Sequence, residues 1–271
     1  MGPTPAQIRR RRTTASIVLA VFATAAVYLA LSATFFAPAD QHGAGVVHLD
    51  IHSEAVGREL GVNVVVPAET RPRGERPLLV FLHGRGGSDD TFTGNDAVYE
   101  GLAKLGRRAP IVAFPDGRYV MREVIPAVER HFGTDPHAVA IGGISMGGFG
   151  AYDLALLHPR RFCAVGGHSP ALWFDGGETA PGAFDSAADF NRNDVVGMVR
   201  GNPDAFEGMR VWNDYGDEDP FRVYDEGFVD YLRQDGVDLS AHTGDGGHDG
   251  AYWSRHWPAY LRFYANSLAA C

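Results

Sequence analysis

The chain has 271 residues, 45% of them apolar and 21% charged, with a formal net charge of −9 at pH 7. That length holds one large domain or two small ones, and the composition is that of a globular protein. The negative charge excludes general nucleic-acid binding, which needs a basic surface to neutralise phosphates.

Arg9 to Arg12 form a basic block, and Thr13 to Ala37 then run for 25 residues without a charge. Such a run exceeds the ~7–15 apolar residues of a signal-peptide core. It is long enough to span a bilayer, which takes about 20. The expected organisation is a cytoplasmic stub and transmembrane signal-anchor over residues 1–37, a linker over 38–45 and a folded domain over 46–271. The arginines stay in the cytoplasm, so the domain faces outward. Ala37-Pro38-Ala39 resembles a signal-peptidase site, and cleavage there would secrete the domain instead.

Val46 to Ser53 alternates apolar and polar residues, as a half-buried strand does, and Leu60 to Val66 is a second strand. Pro77 to Leu82 (PLLVFL) is a continuous apolar run and reads as a central strand covered on both faces. Asp90 to Leu105 reads as a helix and Ile111 to Phe114 as a strand. Tyr119 to Phe132 is amphipathic at helical spacing. Ala138 to Ile144 is a strand and Met146 to Leu157 the helix after it. Strands begin again at Phe162 and Arg210. Tyr224 to Gln234 is a helix, Leu239 to His242 a last strand, and Tyr252 to Ala270 a closing helix interrupted or started at Pro258. This alternation predicts an α/β fold with a mainly parallel sheet, helices on both faces and an antiparallel N-terminal edge. The polar stretch Trp173 to Glu207 reads as an excursion capping a site.

Cys163 and Cys271 are the only cysteines. Cys163 reads as a small buried hydrophobe. A bridge to Cys271 is disfavoured, because chain ends are seldom held in disulfide geometry. No metal-ligand spacing is present.

Gly143-Ile144-Ser145-Met146-Gly147 is a G-x-S-x-G sequence between an apolar strand and a helix. A nucleophile there sits on a sharp turn, which demands small residues two before and two after it. The helix start offers backbone N–H groups to an oxyanion. HGRGGS, from His83, follows a buried strand, so the Arg85 and Met146 amides are the expected oxyanion donors. A serine needs a base. His248, in the glycine-rich loop GDGGHDG, is preferred over His242 and His256, which lie in strand-like and helical patterns. Its acidic partner comes from VWNDYGDEDPF. Asp219 is preferred, Asp217 is second, and Asp214 and Glu218 complete the candidates.

HGRGGS, GGISMGGFGAYDLALLHPRRF, HSPALWF, YGDEDPF and GGHDGAYW together resemble the esterase D-like (putative esterase) family of the α/β-hydrolases. That family includes feruloyl and acetylxylan-type esterases, S-formylglutathione hydrolases and mycobacterial mycolyltransferases. The likeness covers about residues 46 to 268 and implies the α/β-hydrolase fold. It also implies a serine carboxylester hydrolase with Ser145 as nucleophile, His248 as base, Asp219 as acid and Arg85 and Met146 as oxyanion donors. No cofactor or metal is implied. The expected partners are a small-molecule or cell-envelope ester and, through the N-terminal segment, the membrane. In similar sequences a longer segment separates the Pro115-Asp116-Gly117 turn from the next helix. Its absence here predicts a more open cleft. Two other readings stand beside this one: an exported acyltransferase that moves an acyl group to a sugar or lipid alcohol, and a non-catalytic surface protein that keeps the fold for binding.

Overall fold

The computed structural model describes residues 39–54, 56–116 and 119–271. The expected anchor over 1–37 lies outside these residues. Among the described residues no helix is long and apolar enough to cross a membrane.

Eight strands form one sheet: β1 (Gly45–Ser53), β2 (Arg58–Val66), β3 (Arg76–Leu82), β4 (Ile111–Pro115), β5 (Thr134–Ile144), β6 (Ala164–His168), β7 (Arg210–Gly216) and β8 (Leu239–Gly244). They lie in the order β1-β2-β4-β3-β5-β6-β7-β8. β1 pairs antiparallel with β2, and β2 antiparallel with β4. Every later pair is parallel. The expected mainly parallel sheet with an antiparallel N-terminal edge is therefore present.

Among the described residues the α-helices are α1 (Asp96–Leu105), α2 (Ile125–Phe132), α3 (Met146–Leu157), α4 (Ala187–Arg192), α5 (Val195–Val199), α6 (Arg222–Gln234) and α7 (Gly250–Leu268). Side chains alternate across a strand, so PLLVFL feeds two cores. Leu78 and Val80 join Val128, Ala151, Val196 and Phe228 on the face covered by α2, α3, α5 and α6. Phe81 points the other way, its ring 4.4 Å from Trp257 of α7. Both residues are fully buried, and each such side chain contributes about 1.5–3 kcal/mol by leaving water.

Three elements differ from expectation. α1 starts at Asp96, not Asp90, because the Asn95 side chain caps it by accepting the Ala97 amide. The segment from Tyr119 opens as a π-helical turn over Val120–Val124 before α2. Pro126 has no N–H to give to the carbonyl four residues back, which interrupts α-helical bonding there. α7 neither starts nor breaks at Pro258. It starts at Gly250, capped by Asp249, and runs through the proline. The buried Tyr252, Trp257, Tyr260 and Tyr264 hold it on both sides of that residue.

The two cysteines are paired, contrary to expectation. Cys163 and Cys271 form a disulfide with Cα atoms 6.0 Å apart. α7 runs unbroken almost to the last residue, and that rigid arm sets Cys271 beside the start of β6.

The Trp173–Glu207 excursion divides. Its first half builds an aromatic cluster in which Trp173 and Phe190 pack with Phe149, Phe184 and Phe221. Its second half, through α5, joins the main core by Val195, Val196 and Val199.

Candidate active site

Ser145 lies between β5 and α3 with φ 57° and ψ −118°, a conformation costly for a residue with a Cβ. The flanking glycines are required by space. A Cβ on Gly143 would strike the Gly147 backbone, and one on Gly147 would strike the Leu82 carbonyl of β3. The strained turn is held from both sides. The Ser145 amide donates to the His168 carbonyl at 3.0 Å, and its carbonyl accepts the amides of Phe149 and Ala171, each at 3.0 Å.

His248 lies in the loop between β8 and α7. Its Nδ1–H donates to Asp219, 2.9 Å from Oδ2 and 3.1 Å from Oδ1. A carboxylate only accepts, so Nε2 is left as an acceptor for the Ser145 hydroxyl at 2.8 Å. The structure thus brings together Ser145, His248 and Asp219, from three separate loops at the C-terminal ends of the strands. The Asp219 side chain is fully buried, while that of His248 keeps 20% exposure. The carboxylate is dry and the imidazole can be reached. Asp219 is fixed further by the Phe221 amide, which donates to Oδ1 at 2.9 Å.

The other candidates are placed elsewhere. Asp217 accepts the Gly246 amide at 3.0 Å. His242 packs on Trp212 at the β8 edge, with centroids 4.3 Å apart. His256 bonds the Tyr252 carbonyl through Nδ1 at 2.7 Å. Asp214 is buried and accepts Trp212 Nε1 at 2.7 Å, Tyr260 at 2.7 Å and Tyr252 at 3.0 Å. It also pairs with buried His168 at 2.7 Å, whose Nε2 accepts the Tyr264 hydroxyl at 2.9 Å. Burial works to raise the Asp214 carboxyl, but the donors from His168, Tyr260 and Trp212 outweigh it and hold it below its ordinary value. Burial pushes His168 down. A neutral imidazole and a carboxylate therefore form a second His–Asp pair, with a tyrosine where the first has a serine.

The HGRGG loop lies against the serine: a Cβ on Gly84 would stand 3.4 Å from Ser145 Cβ. Neither the Arg85 nor the Met146 amide has an acceptor among the turn and cap hydrogen bonds of the described residues. The Arg85 guanidinium turns away to the Pro181 carbonyl at 3.2 Å. The short connection before Tyr119 includes residues 117 and 118, which lie outside the described ones. Among the described residues no group of His, Cys, Asp and Glu is arranged to hold a metal ion.

The sequence reading missed what surrounds His248. Two rings flank it, Phe221 and Trp253, each with its centroid 5.2 Å from that of the imidazole. The DPF and AYW triplets carry them, but only the assembled loops bring them to one histidine.

A family model described as Putative esterase matches residues 116–264, more than half of the chain. Among curated proteins, Esterase Rv1288 of Mycobacterium tuberculosis is 30% identical over 141 residues, 43% of this chain and 30% of that protein. The match thus spans under a third of that relative's length. Among solved structures, a ferulic acid esterase superposes with a TM-score of 0.72 at 23% identity, covering 83% of this chain and 98% of that one. An S-formylglutathione hydrolase from Staphylococcus aureus gives 0.68 at 18% identity, covering 82% and 97%. These likenesses identify the sheet and its helices as the α/β-hydrolase fold.

Proposed function

We propose that this chain, which belongs to the putative-esterase family, hydrolyses carboxylic esters through a triad of Ser145, His248 and Asp219. The observation that carries the reading is the 2.8 Å hydrogen bond from the Ser145 hydroxyl to His248 Nε2, with Nδ1 of the same ring on a buried carboxylate. Ser145 attacks the ester carbonyl while His248 takes its proton. Asp219 holds the ring in the tautomer that leaves Nε2 free and stabilises the imidazolium that forms. The Arg85 and Met146 amides, beside the serine and without backbone acceptors, receive the oxyanion. Removal of one such donor typically costs about 100–1,000-fold in kcat. His248 then protonates the leaving alcohol, and water repeats the cycle on the acyl-enzyme.

A series of rings runs from the base into the neighbouring aromatic cluster. Phe221 touches His248, Trp173 touches Phe221, and Phe149 touches Trp173 at 6.0 Å between centroids. The Cys163–Cys271 disulfide supports export of the domain, since such bonds persist in oxidising compartments. That agrees with an anchor or signal over residues 1–37.

The test is Ser145→Ala assayed on p-nitrophenyl esters, together with labelling by a fluorophosphonate probe. Turnover and labelling are both lost in the variant. If it still turns over at the unmodified protein's rate, the triad is wrong.

A further inference from the structure

We propose that Trp253, moored to Ser169, is a positioning residue that holds the His248 imidazole between the acid and the nucleophile. The inference rests on the triad reading above and extends it to a residue outside the triad.

The argument begins at Ser169. It is fully buried, the residue after β6, with φ +49°, a value that non-glycine residues seldom adopt. Strain of this kind persists only where the surroundings over-determine it. Here they do so from several directions. The Ser169 amide donates to the Asp214 carbonyl at 2.6 Å, and the carbonyl just before it, of His168, accepts the Ser145 amide. The Ser169 hydroxyl accepts the indole N–H of Trp253 at 3.1 Å. The residue after β6 therefore ties the nucleophile's backbone to an aromatic side chain of α7.

That side chain ends at the base. The Trp253 ring stands at 84° to the His248 ring, with centroids 5.2 Å apart, and Phe221 touches the same imidazole. The histidine loop alone could not fix the ring. Its hydrogen bonds to the acid loop are made at Gly244 and Gly246, leaving the His248 side chain to be held by its own contacts. Asp219 fixes Nδ1, but the bond from the Ser145 hydroxyl to Nε2 is broken when the serine attacks. An indole packed against the imidazole is a restraint that persists through that step, and its Nε1–H bond to Ser169 fixes the indole in turn.

α7 can carry this role because it is bolted to the sheet one residue earlier. Tyr252 donates to Asp214 at 3.0 Å and Tyr260, two turns on, at 2.7 Å. Asp249 caps the helix beside the catalytic loop. Trp253 thus sits on the first turn of an anchored helix, which suits a positioning element better than a loop does.

The experiment uses Trp253→Ala, which removes ring and hydrogen bond, and Trp253→Phe, which keeps a ring and loses the hydrogen bond. Three quantities are read: kcat and KM on a p-nitrophenyl ester, the rate of fluorophosphonate labelling, and the far-downfield NMR proton of the His248–Asp219 hydrogen bond. Melting temperature is recorded to separate unfolding from mispositioning. In Trp253→Ala we expect kcat and labelling rate to fall together by about 10–100-fold, the loss typical of a catalytic group displaced by an ångström. KM should stay within about twofold. The downfield proton should be lost to exchange, and Trp253→Phe should recover most of the rate and the resonance. Unchanged kcat and labelling in a folded Trp253→Ala would overturn the inference, as would a fall in KM-dependent binding alone. Absence of labelling in the unmodified protein would instead sink the triad reading.

Discussion

The Asp217 carboxylate accepts the backbone N–H of Gly246 at 3.0 Å, which pins the acid loop to the histidine loop two residues before the base. Asp219, two residues on, takes His248 itself. Two carboxylates on one turn thus have different tasks, one positioning a loop and one orienting an imidazole. Asp219→Asn, which offers the wrong tautomer to His248, should lower kcat by about 1,000–10,000-fold with little change in stability. Asp217→Ala should lower kcat far less and cost about 0.5–1.5 kcal/mol through the lost hydrogen bond. Steady-state kinetics beside urea unfolding separate the two; a larger kinetic loss at Asp217 would reverse the roles.

Ser145 stores backbone strain at the turn after β5. Its φ of 57° costs an L-residue about 1–2 kcal/mol, and glycine adopts it freely. Ser145→Gly should therefore end turnover and raise unfolding stability by about 1 kcal/mol over Ser145→Ala, which keeps the Cβ. Denaturant midpoints of the two variants decide it. Equal midpoints would mean that the turn is relaxed.

The disulfide closes a loop of 108 residues far from the triad. For loops of that length, chain-entropy arguments give about 4–5 kcal/mol, with typical measured values of about 2–4. Cys271→Ser should lose stability in that range and keep its ester kinetics, because the bridge lies at the N-terminal end of β6 and the site at the C-terminal ends of the strands. Unfolding with and without a reductant gives the same answer in the unmodified protein, and a midpoint that ignores reductant would remove the bridge from the stability account.

The hydrogen-bonded set of Ser145, His248 and Asp219 could be read from the sequence because each member sits in a turn with its own local chemistry. Glycines flank Ser145, a strand ends before Asp219, and glycines precede His248. Strand alternation was legible for a similar reason: a run such as PLLVFL reports burial on both faces. What was not legible depends on α7. Its hydroxyl on Tyr264 fills the space a Cβ on Gly142 or Gly166 would take, so those glycines answer to a residue about a hundred positions away. Two of the partners of Asp214, Tyr252 and Tyr260, come from the same helix, and its end carries Cys271 to Cys163. The acidic cluster before Pro220 showed four candidates of one type, and only the assembled loops distinguish the buried hub Asp214 from the loop pin Asp217.

Asp225, in the first turn of α6, is fully buried, and its Oδ1 accepts Asn213 Nδ2 at 3.1 Å. Its Oδ2 has no hydrogen-bond partner. Burial raises this carboxyl well above its ordinary value near 3.8, against the pull of Asn213 and with help from the charges of Asp219 and Asp214. Over the pH range between the two values, the folded state favours the protonated carboxyl where the unfolded chain favours the charged one. Stability from this group is fully present below the ordinary value and declines as pH rises towards the folded value, by at most about 1.4 kcal/mol per pH unit. Asp225→Asn keeps the acceptor for Asn213 and has no proton to lose. Its stability gain should be near zero at about pH 4 and grow as the pH rises from there. Urea unfolding at several pH values tests this; a gain that does not grow with pH, or a loss at alkaline pH, would show that Asp225 is ionised in the fold.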